Sequence, residues 1–599
     1  MAIYLLDNWH RVEGKTGCCV ETGETLVALT RIGCVSARGA FISFQIVIAP
    51  ATGTASRVAI DASELRQVDG GGTIDSSQTE LFVEWFHRVD GMLIPDMLIP
   101  YDLTQMRIPQ DDAALPDQRV GALWVDWFIP KDSHPGSYSG EIRVTADDET
   151  QTLTITLDVA DIILPEGGQI TADCNNYADN ISAHFPSLQS NPNRYRDGSY
   201  TKVETAFHRM AREHRAVFHN LPYRHSTATP ICYTPELIGE GKERSVASWD
   251  LFDRHMGPLL DGSAFKGSRV SERPLDYLYM PFNLNWPASY EKWGTKGYTT
   301  EYRRILAEFV RHFEEQGWTR TVCEILLNNK KDYRFFPYTI DEIWYEHDQD
   351  VVDTYYDIIK GMYEHSKARF VFRMDSSNHF GHHFDHRFSD MCGMWVAGFA
   401  MFNWFPESVA VMKNKGNTLW VYGGVLRDMR ENLFHIASWP LICLMTGADG
   451  FCIWNTTGFG KNPLVCPADN GGQALFYPGE EFGVMGPLPS IRLKALRNAM
   501  QTADLAIQTK GTPLQSRIEK SVNDRLGFSS MKDWWREKPP FVKDDIPPRY
   551  WDFDSLDPYV LPPLHVGRSP ELMQDIQSDV LGLLAGKNYS ESSGGFRYY

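Results

Sequence analysis

Asp341 and Glu342 stand side by side in FFPYTIDEIWYEHD, among Phe, Tyr, Ile and Trp. Unpaired charge is costly beside apolar surface, so two acids placed there need a reason. Proton transfer and stabilisation of developing positive charge supply one, because carboxyl groups do both. Successive side chains of a regular strand point to opposite faces, so both acids can serve one pocket only where the chain leaves a strand. The apolar run TVCEILLNNK precedes them and predicts such a strand end. An exposed loop or a helix N-terminus would also accept an Asp-Glu dipeptide. The surrounding elements decide between these readings.

Eight runs after residue 166 read as strands: QITADCNNY, RAVFHNLPY, DYLYMPFNL, RTVCEILLNN, ARFVFRMD, DMCGMWVAG, NTLWVYGG and DGFCIWNT. Amphipathic stretches such as TEYRRILAEFVRHFEEQGW separate several of them, which predicts a (β/α)8 barrel with its chemistry at the C-terminal strand ends. Those ends are polar or aromatic throughout: Asn175, Asn176 and Tyr177; His219 and Asn220; Asn283, Asn285 and Trp286; Asn328, Asn329 and Lys330; Asp375; Trp395; Tyr422; Trp454 and Asn455. Any one of them is most simply a turn or cap residue. Together they predict a carbohydrate cleft, since sugars need amide and carboxylate partners for hydroxyls and flat rings for C–H faces. Trp420, inside a strand, reads as core.

From about residue 20 to 166 the runs AFISFQIVIA, LFVEWFHRV, ALWVDWFIP, GEIRVTA and TLTITLDVA, with Gly, Pro and Asp between them, predict an antiparallel β-sandwich. Pro135-Gly136 reads as a structural hairpin turn. Pro165-Glu166-Gly167-Gly168 marks the boundary, giving a sandwich over 1–166, a barrel over 167–512 and a C-terminal extension over 513–599. SIRLKALRNAMQTADLAI predicts an amphipathic helix closing the barrel. The Pro/Trp-rich extension is too aromatic for a disordered linker. It is expected to pack, with a last helix from near Pro570, along the barrel or against another subunit of a homo-oligomer.

A chain of 599 residues with 43% hydrophobic content supports more than one core. Its formal net charge of -19 disfavours nucleic acid, anionic membrane and polyanionic substrates. No run approaches a membrane span, and MAIYLLDNWHRVEGKTG lacks the pattern of a signal segment, so a cytoplasmic location is expected. The ten cysteines show no C-x-x-C spacing and read as reduced thiols. Gly14-Lys15-Thr16 is no phosphate loop, because Trp9 stands where its first glycine belongs. His379, His382, His383 and His386 in NHFGHHFDHRF raise a metal site, but defined zinc spacings are absent and no metal or cofactor is expected.

PKDSHPGSYSGEIRV, DLFDRHMGPLLDGSAF, the IDEIW acids, TGADGFCIWNTTG and LFYPGEEFGVMGPLPSIRLKALRNAM, in this order, resemble glycoside hydrolase family 123 and its uncharacterised relatives over about residues 20 to 510. The resemblance implies a β-sandwich before a (β/α)8 barrel and a retaining β-N-acetylgalactosaminidase activity. It also implies that Asp341 orients the substrate 2-acetamido group and that Glu342 is the general acid/base. The family commonly has proline after the pair, where this chain has Ile343. Adjacency suits substrate assistance, in which the acetamido oxygen is the nucleophile and the protein supplies one acid and one anion. An aromatic hydroxyl should hold the acetamido oxygen, Tyr422 first and Tyr477 second. Two other readings stay open. One is a glycosidase for a sugar without a 2-acetamido group, pairing Glu342 with a second carboxylate such as Asp375; the other is a non-catalytic carbohydrate-binding protein.

Overall fold

The computed structural model describes residues 1–224, 230–327, 346–376, 390–398, 406–422, 429–458, 462–464, 474–527, 571–587 and 597–598. Two sheets form the N-terminal sandwich. One is antiparallel and runs in the order Ala2–Asp7, Phe41–Ala49, Gly121–Phe128, Thr79–Val89, Met92–Pro100. The other is built on Arg31–Arg38, Glu149–Ile163 and Gly136–Ala146, with the first two parallel. In TLTITLDVA the residues Leu153, Ile155, Leu157 and Val159 are buried while Thr152 is exposed and Thr154 and Thr156 are half-exposed, as period-two patterning requires. Phe44, Ile46, Trp127 and Tyr138 join them in the core between the sheets.

The first strand of the sandwich is Ala2–Asp7, ahead of the β-rich runs read from about residue 20. One expectation changes here. Pro135-Gly136 is not a hairpin turn, because Gly121–Phe128 and Gly136–Ala146 lie in different sheets and the segment crosses between them. Gly136 is still needed, with φ at +139° and Gln67 Nε2 at 2.8 Å from where a Cβ would sit.

The barrel contains all eight predicted strands: Thr171–Tyr177, Ala216–Leu221, Tyr277–Tyr279, Val322–Leu326, Arg369–Ser376, Met394–Gly398, Thr418–Tyr422 and Gly450–Ile453. The first strand pairs with the second and with the eighth, and the third to eighth pair in succession, all in parallel. The ladder ends at the second and third strands. There the His219 and Tyr279 rings stack across the seam at 3.5 Å between centroids. The helix Lys296–Gln316 shows how the crossovers attach. Thr295 caps its N-terminus by accepting from the Tyr298 amide, Gly317 ends it in the left-handed region, and Tyr298, Tyr302, Ile305, Phe309 and Phe313 face inward at helical spacing.

The helix Ile491–Ile507 departs from the amphipathic pattern, since its polar residues are as buried as its apolar ones. Its charged side meets the sandwich instead of solvent. Arg492 clasps Asp96 through two hydrogen bonds of 2.9 and 2.8 Å. Arg497 clasps Asp126 at 2.8 and 2.7 Å, and Lys494 adds a third contact to Asp126 at 2.7 Å. Gln501 reads the backbone of Phe41 from both its amide atoms. In the extension, the helix Glu571–Ala585 buries Met573, Ile576, Val580 and Leu581 in the main core, and Arg597–Tyr598 adds an edge strand to Arg31–Arg38. The Pro/Trp-rich stretch 528–570 lies outside the described residues. The nine described cysteines are free, and among the described residues no helix is long and apolar enough to cross a membrane.

Candidate functional site: the barrel interior and its C-terminal mouth

Alternation along the barrel strands sends one set of side chains to the surrounding helices and the other to the barrel axis. Cys174, Phe218, Ile325, Phe372, Trp395, Val421 and Ile453 belong to the helix-facing core. Met394, Val396, Trp420 and Cys452 pack together in the interior, with Tyr277, Val371 and Tyr422 against them. A second interior cluster, Tyr177, Leu221, Tyr223, Tyr279 and Leu326 with half-buried Trp454, lines the C-terminal side.

Among these apolar groups sits a charged network. His219 Nδ1 is 3.0 Å from Asp173 Oδ1, and its Nε2 is 3.6 Å from Glu324 Oε1. Arg373 donates from Nη1 to Glu324 Oε2 at 2.9 Å, and from Nε and Nη2 to the two oxygens of Asp375 at 2.7 and 3.0 Å. The guanidinium lies 5.0 Å from the Tyr279 ring centre and 5.5 Å from that of Trp420. Three carboxylates thus share one guanidinium and one imidazole. Burial raises the proton affinity of Glu324, with repulsion from Asp173 adding to it, while His219 and Arg373 oppose the rise. Burial opposes the charge on Arg373, yet Asp375, Tyr279 and Glu324 hold its pKa well above the ordinary value. The side chain of Asp375 is 19% exposed whereas those of Asp173, Glu324 and Arg373 are sealed, so Asp375 brings the network to the mouth.

The predicted site residues divide. Asn175 is buried in the interior, where its Nδ2 donates to the Tyr279 hydroxyl at 2.8 Å and its Oδ1 has no hydrogen-bond partner among the described residues. Asp375 is at the mouth, as are half-buried Tyr422 and Trp454. Asn283 faces no cleft: it is buried, accepts from the Asn285 amide at 2.7 Å and donates to the Pro281 carbonyl, so both ends of its amide hold a turn. Trp395 is fully buried against the helices, because its register on the sixth strand points outward. Tyr477 lies between sandwich and barrel, donating to Asp96 at 2.6 Å and stacking on His87. Its place is structural. Asn176 donates to Asn220 Oδ1 at 3.1 Å and accepts from Asn180, which also donates to Asn455, while Asn220 donates to the Tyr200 hydroxyl and to Glu204, so these amides are engaged by the side chains around them. Asp341, Glu342, Asn328, Asn329 and Lys330, with the cluster His379 to His386, lie outside the described residues. In the chain Asn328 follows the fourth strand, Val322–Leu326, and His379 follows the fifth, Arg369–Ser376.

Asp173, Glu324, Arg373 and Tyr279 were not singled out by sequence. The first three carried a usable signal: one charge in the middle of the apolar runs ITADCNN, VCEILL and FVFRMD, where a parallel strand buried on both faces should be uncharged.

No protein-family model matches the chain, and no curated protein matches it. Among solved structures, a family 123 glycoside hydrolase from Clostridium perfringens, studied for glycolipid glycan hydrolysis, aligns over 98% of this chain and 97% of its own with a TM-score of 0.67 at 13% identity. A Parabacteroides merdae β-glucuronidase aligns over 80% of this chain and 53% of its own, at a TM-score of 0.28 and 10% identity. The first likeness takes in sandwich and barrel together, and the chain has the fold of that family 123 glycoside hydrolase over almost its whole length.

Proposed function

We propose that the protein is a glycoside hydrolase that cleaves 2-acetamido sugars with the acetamido group as nucleophile, as family 123 resemblance implies. The observation that carries this reading is the joint sandwich-and-barrel likeness to a glycan hydrolase, together with an interior lined by Tyr279, Trp454, Asn175 and Asp375. In the proposed reaction Glu342 protonates the glycosidic oxygen as the acetamido oxygen closes on the anomeric carbon. Asp341 accepts the amide N–H and offsets the positive charge of the ring so formed. Glu342 then takes a proton from the water that reopens it, restoring the starting configuration. Tyr422 is the candidate hydroxyl for the acetamido oxygen, since Tyr477 is already committed to Asp96.

One observation favours the second reading: Asp375 is the partly exposed carboxylate of the interior network. Against its use as a nucleophile, Arg373 engages both its oxygens with charge-assisted hydrogen bonds. Aryl glycosides with and without the 2-acetamido group separate the two. Under the proposed mechanism only acetamido substrates turn over, a thiazoline mimic of the cyclic intermediate inhibits, and Glu342→Gln and Asp341→Asn each lower kcat by roughly 10²- to 10⁴-fold. Equal turnover of substrates lacking the acetamido group would sink it. Saccharide binding with no turnover of any glycoside would leave the non-catalytic reading.

A further inference from the structure

At the opposite end of the barrel, the starts of the first five strands frame a cavity of about 220 Å3. Its lining includes Arg212, Arg215, Arg273, Arg320 and Arg369 but a single acid, Asp276. Such a concentration of cations is conspicuous in a chain of net charge -19. Arg212 and Arg215 are buried at its base. Arg212 donates to the Pro274 carbonyl and is 3.4 Å from the half-exposed Asp276, and Arg215 is 2.6 Å from Asp504. Arg273 is held by Ser271 Oγ and the Glu166 carbonyl. Its guanidinium fills the space a side chain at Gly167 would take, since a Cβ there would fall 2.0 Å from Arg273 Nη2. Arg320 and Arg369 stand exposed at the rim, with no carboxylate partner among the described residues; Arg369 donates only to the Arg320 carbonyl.

Guanidinium groups converging on one cavity repel each other unless a counter-charge sits among them. Burial, with repulsion from Arg273, lowers the proton affinity of Arg212 despite Asp276. The planar forks of arginine match the paired oxygens of phosphate, and a dianion can accept from several forks at once. We propose that this cavity binds a phosphate group, as the free ion or as a phosphate monoester, at the barrel end remote from the sugar-cleaving mouth. The site stands apart from the glycosidase reading, and neither depends on the other.

The test uses the full chain. Inorganic phosphate, a hexose phosphate and potassium chloride at matched ionic strength are titrated by calorimetry and by thermal unfolding. Phosphate should give a saturable rise in Tm that chloride does not. The double variant Arg320→Ala/Arg369→Ala, changed only at the exposed rim, should weaken phosphate binding by about tenfold or more, the loss of roughly one charge-assisted contact or more. Tighter binding of the ester than of the free ion identifies the ester as the ligand; equal binding identifies the phosphate group alone. If the double variant fails to fold, Arg320→Gln supplies the same comparison. No saturable response to either phosphate, a response that chloride reproduces, or undiminished binding in the rim variants would overturn the proposal.

Discussion

Arg373 shows how a single residue can hold the middle of a barrel. It contacts Glu324 and both oxygens of Asp375, and lies 3.8 Å from Asp173. Removing one partner of a buried ionic cluster costs more than the cluster itself contributes, because the remaining charges stay desolvated. Arg373→Met should therefore destabilise the protein by about 3–5 kcal/mol in urea unfolding, and adding Glu324→Gln should recover part of that loss by removing one stranded charge. Glu84 in the sandwich is the opposite case. It is buried, neither carboxylate oxygen has a hydrogen-bond partner among the described residues, and burial pushes its pKa up to about 8. The folded protein therefore keeps a proton that the unfolded chain releases near the ordinary carboxyl pKa. Stability from this group is complete below that pKa and falls as pH rises toward about 8. Glu84→Gln should flatten the pH dependence of Tm across that interval and raise Tm at its upper end. A variant whose profile runs parallel to that of the parent would refute this account. His87, on the same strand, works in the other direction: burial lowers its pKa to about 4, so its contribution is lost as pH falls from the ordinary imidazole range.

The helix Ile491–Ile507 is a polar helix whose solvent is another domain. Sequence marked it as a helix from its apolar spacing, but spacing does not reveal what covers a polar stripe. Here Asp96 and Asp126 of the sandwich take the place of water. Asp126→Ala would leave Lys494 and Arg497 buried without their acid, and a loss of about 3–5 kcal/mol is expected. Arg497, Lys494 and hydrogen bonds offset burial to hold the Asp126 carboxyl below its usual range. Its stabilisation is thus present above the unfolded carboxyl pKa and fades as acid is added; near-ultraviolet circular dichroism during acid titration should show Asp126→Asn losing tertiary structure at higher pH than the parent. The eight barrel strands were legible because each is an apolar run closed by polar or glycine residues. What strands do with single side chains was less so. Trp395 and Trp420 lie on neighbouring strands in similar sequence, yet one faces the helices and the other the axis, a matter of register alone. Asn283 and Tyr477 matched a sugar-binding composition, but a turn and a contact between the two folding units claimed them. Composition cannot tell these uses apart.

Over the whole molecule the chain returns to its beginning: the last described strand, Arg597–Tyr598, pairs with Arg31–Arg38, and the helix before it buries Ile576 in the main core. Contacts so distant in sequence leave no periodic trace, which is why the packing partner of the extension was not legible beforehand. Ile576→Ala should cost about 2–5 kcal/mol, read as a lowered midpoint in denaturant; an unchanged midpoint would mean that the extension adds nothing to stability. The ring of strands also has a direction of weakness. Seven of its junctions are ladders of backbone hydrogen bonds, whereas the second and third strands meet through the stacked rings of His219 and Tyr279. A closed ring must break a ladder to change its girth, but this one can widen as a split collar does, by parting two aromatic faces. Any adjustment of the barrel bore to a bulky guest is therefore directed to one side, and the amides of Ala216–Leu221 and Tyr277–Tyr279 should exchange with deuterium before those of the sixth and seventh strands opposite.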